Sequence, residues 1–349
     1  MPKMPLNIEN TIDIELFDEI LRIDSTSGSE RELACFLVER LPGLLNCSVE
    51  THEVGDGTVN LLLKWGDNPQ VFFCTHLDTV PPYIVPQFIE KPHGDLLIKG
   101  RGSCDAKGQI ISMIAACKQL EQEGYSNFAL LLLAGEETGS WGAKAYTRDC
   151  AGGDYVIVGE PTDGKMVTAS KGTKCFDVTI MGKSCHSGYP QQGVSAIERF
   201  VDFINELRAV EFTPDPVMGD TTYNIGKLES NNAQNVLSPQ VHFRLYFRTT
   251  AASDAMVTRV MQQLRRDYIA IEALGGDTPM SYFTLPGFET TTVAFGSDAP
   301  RLTGFKHRAL CGAGSILVAH QPSECVLLSE LEKASEQYVA MYKAINGVQ

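Results

Sequence analysis

Three short runs of this chain are apolar from end to end, and each stops at an acid or a histidine. Val71-Phe72-Phe73-Cys74 leads into Thr75-His76-Leu77-Asp78, the run 129–134 (ALLLLA) into Gly135-Glu136-Glu137, and 155–159 (YVIVG) into Glu160. Runs of this length without polar alternation suit strands covered on both faces. Between the first two runs, residues 108–120 place Ile110, Ile114, Cys117 and Leu120 on one face of a helix. Two more helices are expected within the first 45 residues, IELFDEILRI and RELACFLVERL, with the intervening STSGSE offering hydroxyl caps to the second. The alternation predicts an α/β fold, a sheet flanked by helices. In such sheets ligands bind beyond the carboxyl ends of the strands, where the ionisable residues would gather.

The pattern changes after residue 166. CFDVTIMG, TTYNIGKLE, VHFRLYFRTT and IAIEAL read as strands, and AIERFVDFINELRAV and SDAMVTRVMQQLRRDY as helices. Their order, β-α-β-β-α-β, is the split βαβ layout of a small α+β sandwich. The last 70 residues return to the first style and end in a helix from about Leu327. A segment 166–279 inserted into a domain made of 1–165 and 280–349 is the simplest reading, and 349 residues suit two domains.

A net charge of −14 disfavours nucleic acid and anionic membrane surfaces as partners. No apolar run approaches the roughly 18 residues of a membrane span. The ten cysteines include no CxxC pair, and MPKMPLNIEN lacks the apolar region of a secretion signal. Together these features predict a protein of the reducing cytoplasm.

Asp105 precedes the helix that begins near Gly108, and His320 lies in Ala319-His320-Gln321-Pro322 before the last helix. With His76, Glu137 and Glu160 they offer two imidazoles and three carboxylates, a set that suits two divalent cations sharing a carboxylate. Each residue alone has an ordinary explanation, a structural histidine or a solvated acidic loop. Three strand ends bearing acids, however, would crowd like charges that repel unless a cation neutralises them.

The same residues fall in runs that resemble a known family. His76-Leu77-Asp78-Thr79-Val80-Pro81 is similar to the HxDTVP motif of the aminoacylase-like co-catalytic zinc peptidases (M20-type). Gly100-Arg101-Gly102-Ser103-Cys104-Asp105-Ala106-Lys107-Gly108 resembles their GRGxxDxKG, Glu136-Glu137 their EE pair and Gly159-Glu160-Pro161-Thr162 their GEPT. Gly182-Lys183-Ser184-Cys185-His186-Ser187-Gly188-Tyr189-Pro190 is similar to GxxxHxxxP. Gly296-Ser297-Asp298-Ala299 and Ala319-His320-Gln321-Pro322-Ser323-Glu324 resemble GTDA and AHxxxE. Two departures stand out: Ala313 replaces a frequent proline in Cys311-Gly312-Ala313-Gly314-Ser315, and Ser195 a frequent asparagine.

The resemblance implies a zinc-peptidase catalytic domain with a mixed central sheet, plus an inserted ferredoxin-like lid and dimerisation domain. It implies two zinc ions, with cobalt as a substitute, bridged by Asp105. His76 and Glu160 would complete one site, and Glu137 and His320 the other. Asp78 would orient His76, and Glu136 would act as general base. His186 would stabilise the oxyanion in a partner subunit's site, within a homodimer formed through the lid. Lys171, Asn235 and Arg248, with Ser297, would bind the substrate's carboxylate. A cis bond is implied after Asp105.

The wording of the motifs lies closest to the acetylornithine deacetylase and succinyl-diaminopimelate desuccinylase branch. That predicts hydrolysis of a small N-acyl amino acid such as N-acetylornithine, N-succinylornithine or N-acetylcitrulline, in arginine biosynthesis. A dipeptidase or a lysine-biosynthesis amide hydrolase is the alternative within the family. A metal-free, non-catalytic binding protein on the same fold is the alternative from another class, and bound metal with turnover tells it apart.

Overall fold

In the computed structural model, which describes residues 12–55 and 57–347, the chain forms two compact units. One runs up to Thr168 and also holds Tyr282–Thr291 and the chain from Ser297 on. The other comprises Ala169–Ser281 and Thr292–Gly296.

The larger unit is built on a six-stranded mixed sheet. Val71–His76 lies at its centre, parallel to Phe128–Leu133 on one side and to Tyr155–Val158 on the other. The three apolar runs are thus neighbours pointing the same way, so their carboxyl ends meet at one edge. Every residue of Val71–His76 and Phe128–Leu133 is buried, as continuous apolar runs require. His307–Leu310 extends the parallel part beyond Tyr155–Val158. On the other side, the hairpin Ser48–Gly55 and Thr58–Trp65 continues the sheet antiparallel to Phe128–Leu133.

The helix Lys107–Gln122 packs under this sheet and against the last helix, Leu328–Ile345, and the first, Ile14–Arg22. It is buried on nearly every side, from Lys107 to Cys117 without a break, rather than on the single face its pattern implies. Ser112 and Gln109 survive inside because each finds carbonyl partners: Leu331 and Gly108 for one, Cys104 and Ala313 for the other.

The helix caps differ from expectation. Asp13 caps the first helix, its carboxylate accepting from the Leu16 N–H at 3.0 Å. The second, Arg31–Arg40, begins after Glu30 and has no side-chain cap. The Ser25 and Ser27 hydroxyls are turned elsewhere, toward the loop that follows Val71–His76, and that of Thr26 donates to Asp24.

The smaller unit is a four-stranded antiparallel sheet in the order Thr222–Glu229, Gln240–Thr249, Gly172–Met181, Ile269–Gly275. The helices Ala196–Arg208 and Asp254–Gln263 contribute to a separate core with Phe243, Phe247 and Val178. Numbered along the chain, the strand order is 2-3-1-4, the ferredoxin-like arrangement expected from the β-α-β-β-α-β pattern. Among the described residues no helix is long and apolar enough to cross a membrane.

Candidate metal centre

Hydrogen bonds fasten the ends of the central strands to one another. The Gly159 N–H donates to Cys74 O at 2.7 Å, Thr75 Oγ1 to Gly159 O at 2.9 Å, and the Leu77 N–H to Leu133 O at 2.7 Å. His76 is therefore the last residue of a rigid strand, with Glu160 and the Glu136–Glu137 turn beside it.

Asp105 arrives from a loop held by Glu324. One Glu324 oxygen accepts from the N–H groups of Gly102 (2.9 Å), Cys104 (3.2 Å) and Asp105 (3.1 Å), and the other pairs with the buried Arg101 guanidinium. The Asp105-Ala106 peptide is cis.

Asp105 directs one oxygen to each histidine. Its Oδ1 lies 3.1 Å from His76 Nε2 and its Oδ2 3.3 Å from His320 Nε2. His320 Nε2 is also 3.0 Å from Glu137 Oε1. Ligand atoms of His76, Asp105 and Glu137 all lie within 4.8 Å of one another. The far nitrogen of His76, Nδ1, faces Asp78, at 2.9 Å from its carbonyl and 3.3 Å from its carboxylate. A proton on Nδ1 donated there leaves the Nε2 lone pair free for a cation. Asp78 in turn accepts from the Ser27 hydroxyl and from the N–H groups of Glu136 and Glu137.

The electrostatics call for positive charge. Burial pushes the Glu136 and Glu160 carboxyls well above the usual range, with neighbouring acids adding to the shift. His320 is pushed up to about 10 by its hydrogen bonds to Asp105 and Glu137. Burial would lower His76, but Asp105 and Asp78 outweigh it and raise the imidazole. Asp105 is held low because the hydrogen bonds from His320 and His76 outweigh its own burial. The nearby Lys107 does not neutralise the cluster, because its Nζ donates to the carbonyls of Ile20 (2.9 Å) and Ile23 (2.6 Å). A divalent cation held by these groups would neutralise the acids. The imidazole and carboxylate donors fit zinc.

A model of peptidase family M20/M25/M40 matches residues 72–344. The chain belongs to this family. A peptidase M20 domain-containing protein of Schizosaccharomyces pombe is 32% identical over 94% of the chain and 83% of its own length. A probable carboxypeptidase of Aspergillus terreus is 32% identical over 79% of the chain and 71% of its own length. Among solved structures, a tripeptidase from Staphylococcus aureus shares the fold with a TM-score of 0.80 at 20% identity, covering 95% of this chain and 98% of that one. An M20 metallo-carboxypeptidase from Sulfolobus solfataricus does so with a TM-score of 0.73 at 16% identity, covering 97% and 99%. The protein is thus a hydrolase of the M20 family, whose enzymes depend on metal, usually zinc.

The remaining candidates fall in two places. In the larger unit, Ser297 is buried and its hydroxyl accepts from the Ala299 N–H at 3.3 Å. The other four lie in the smaller unit, at opposite ends of its sheet. Gly172 pairs with Thr249, so Lys171 and Arg248 share one end, where Lys171 Nζ bonds to Asp220 O and Arg248 stacks on Tyr246. His186 and Asn235 share the other end, joined by the Ser187 N–H to Asn235 O bond at 2.9 Å. Ten paired residues separate the two ends, about 30 Å at strand rise. Lys171, Asn235 and Arg248 therefore do not form one carboxylate grip within the unit. His186 is exposed, and its Nδ1 accepts from the Gly188 N–H at 3.1 Å, which leaves Nε2–H as the donor of a neutral ring.

Sequence reasoning passed over Asp298, Ser27, Glu30 and Glu324. Both Asp298 oxygens are buried without a hydrogen-bond partner of good geometry. Burial pushes its carboxyl up to about 7, against the opposing pull of His76 and Ser140. Asp298 and Glu324 lie inside the GSDA and AHQPSE runs, which was their only signal.

Proposed function

We propose that this protein hydrolyses the amide bond joining an acyl or short peptidyl group to an amino acid with a free α-carboxylate, using two bound zinc ions. The observation that carries this reading is the division of Asp105 between two histidines, one oxygen toward each, with Glu137 beside the second. Asp105 would serve both ions, His76 and Glu160 would complete one site, and Glu137 and His320 the other. When bound, two zinc or cobalt ions supply Lewis-acid polarisation of the scissile carbonyl and lower the pKa of water.

The chain's own residues do the rest. Glu136 accepts a proton from the attacking water and delivers it to the leaving nitrogen. Asp78 fixes the His76 tautomer through Nδ1. His186, with Nε2–H available, donates to the oxygen that gains charge in the transition state. Arg248 and Lys171, which share one end of their sheet, bind the substrate carboxylate, Arg248 by two parallel hydrogen bonds. His186 and Asn235, at the far end, serve the site of a second subunit in a homodimer. Ser297 is the remaining candidate for the substrate-facing loop.

Within this class, the motif wording favours an N-acyl amino acid, with N-acetylornithine, N-succinylornithine and N-acetylcitrulline first. The probable carboxypeptidases among the relatives favour a second reading, release of a C-terminal residue from a short peptide. Both use the same catalytic groups and differ in what lies on the acyl side. Amine release by zinc- or cobalt-loaded protein, measured on those three compounds, on N-blocked dipeptides and on free dipeptides, separates them. Preference for N-blocked dipeptides selects the carboxypeptidase reading, and preference for free dipeptides a dipeptidase. A protein that binds no metal and turns over nothing in the panel is the non-catalytic alternative.

A further inference from the structure

Between the first two helices, the residues Asp24–Glu30 touch each loop that follows a central strand on that side of the sheet. Ser25 Oγ donates to Leu77 O at 2.8 Å, the Thr79 N–H to Ser25 O at 3.1 Å, and the Ser27 N–H to Thr79 O at 3.1 Å. The Ser27 hydroxyl donates to Asp78 Oδ2 at 2.7 Å. Glu30, fully buried, accepts from the Gly28 N–H at 2.9 Å with one oxygen and from the Gly135 N–H at 3.1 Å with the other. Segments of this kind usually cap a helix; here Ser25, Ser27 and Glu30 face the loops of the candidate metal centre instead.

We propose that Asp24–Glu30 is a positioning strap for the general base: Ser27 acts through Asp78, and Glu30 through Gly135, to set the orientation of the Glu136–Glu137 turn. The argument follows the donors of Asp78. Its oxygens accept from the Glu136 N–H at 3.0 Å and the Glu137 N–H at 3.1 Å and face His76 Nδ1 at 3.3 Å. All three belong to the groups that Asp78 must orient. The Ser27 hydroxyl comes from outside them, and so ties the carboxylate to the body of the fold. Glu30 holds the same turn one residue earlier. A buried carboxylate facing two backbone N–H groups costs desolvation, which burial registers by raising its pKa. Retaining an acid there is consistent with a need to fix Gly135.

Removing the Ser27 hydroxyl leaves Asp78 facing three donors, so the centre stays assembled, but it removes the hydroxyl that ties Oδ2 to the segment outside them. Orienting groups of this kind typically contribute 10- to 100-fold in activity or metal affinity, and small misplacements of a reacting group cost rate rather than binding. The proposal rests on Glu136 as the base.

The test compares Ser27→Ala, Ser27→Thr, Glu30→Gln and Glu136→Gln as cobalt-loaded full-length proteins, with the best substrate from the panel above. Ser27→Ala is expected to lower kcat by about 10- to 100-fold, with KM within about twofold. Bound cobalt should be retained and its visible absorption band altered. Ser27→Thr, which restores the hydroxyl, should recover most of kcat, and Glu30→Gln should follow Ser27→Ala if it folds. Unchanged kcat in Ser27→Ala beside an inactive Glu136→Gln overturns the strap while leaving the base in place. A loss that tracks lost cobalt or lost folded protein overturns it as well. Full turnover in Glu136→Gln removes the base itself, and the strap with it.

Discussion

A carboxylate that divides its two oxygens between two imidazoles can serve two cations at once, and Asp105 is set up to do so. Neither histidine needs to move far for this, because the carbonyl and carboxylate of Asp78 fix His76 and Glu137 steadies His320. Glu136 lies one residue before Glu137, half-buried, and is held by its backbone rather than by its side chain. The carboxylate is thus left free for proton transfer. Glu136→Gln should keep both metal ions and lose about 100- to 10,000-fold in kcat, the range of a general base. Metal analysis beside a turnover assay checks this, and substantial residual activity would remove Glu136 from the role. Stripping the metal with a chelator should abolish turnover and leave buried acids facing one another, so the apoprotein should also melt at a lower temperature. A chelated protein with unchanged melting would mean that the acids balance without a cation. At this scale the residues that meet around Asp105 were legible because each follows an apolar run or lies in a quoted motif. Ser27 and Glu30 were not, since STSGSE has the composition of a helix cap and only tertiary contact shows where the hydroxyls turn.

Elements deliver these residues, and their legibility followed their length and burial. Val71–His76 and Phe128–Leu133 were readable because full burial forces an unbroken apolar run. The hairpin Ser48–Trp65 was passed over: its first strand alternates exposed and half-buried positions, which a loop rich in polar residues can mimic. His307–Leu310 is four residues long with two polar, too short for a periodicity to register. The loop that carries Asp105 is an element in its own right, and its support is the Arg101–Glu324 pair. Both side chains are almost wholly buried. Replacing Arg101 by Met leaves the Glu324 carboxylate without its cation, which should cost about 3–5 kcal/mol. Urea unfolding checks this, and the double variant Arg101→Met, Glu324→Gln should recover part of the loss, because the stranded charge is gone. A destabilisation of Arg101→Met under about 1 kcal/mol would class the pair with exposed ion pairs.

For the molecule as a whole, the placement of His186 and Asn235 about ten strand residues from Lys171 and Arg248 is the feature with most consequence. If all four acted on one substrate from one subunit, the grip would have to span the full sheet of the smaller unit. Sharing between subunits would remove that demand: each inserted unit would give its Lys171 and Arg248 end to one site and its His186 end to the other. A subunit with Glu136→Gln then has a dead site of its own but an intact His186 to lend. A subunit with His186→Ala has an intact base but depends on its neighbour for the oxyanion donor. Alone, His186→Ala should lose about 100- to 1,000-fold in kcat with metal content unchanged, as expected for a donor that acts in the transition state. Mixed and allowed to exchange in equal amounts, half of the dimers are hybrids and each hybrid carries one complete site. Activity should therefore return to about a quarter of the wild-type level in a twofold-symmetric assembly. Recovery near that level fits sites built from two subunits. No recovery, with exchange verified by differently tagged subunits, would place His186 within reach of its own subunit's Glu136 and make the smaller unit a lid over its own site.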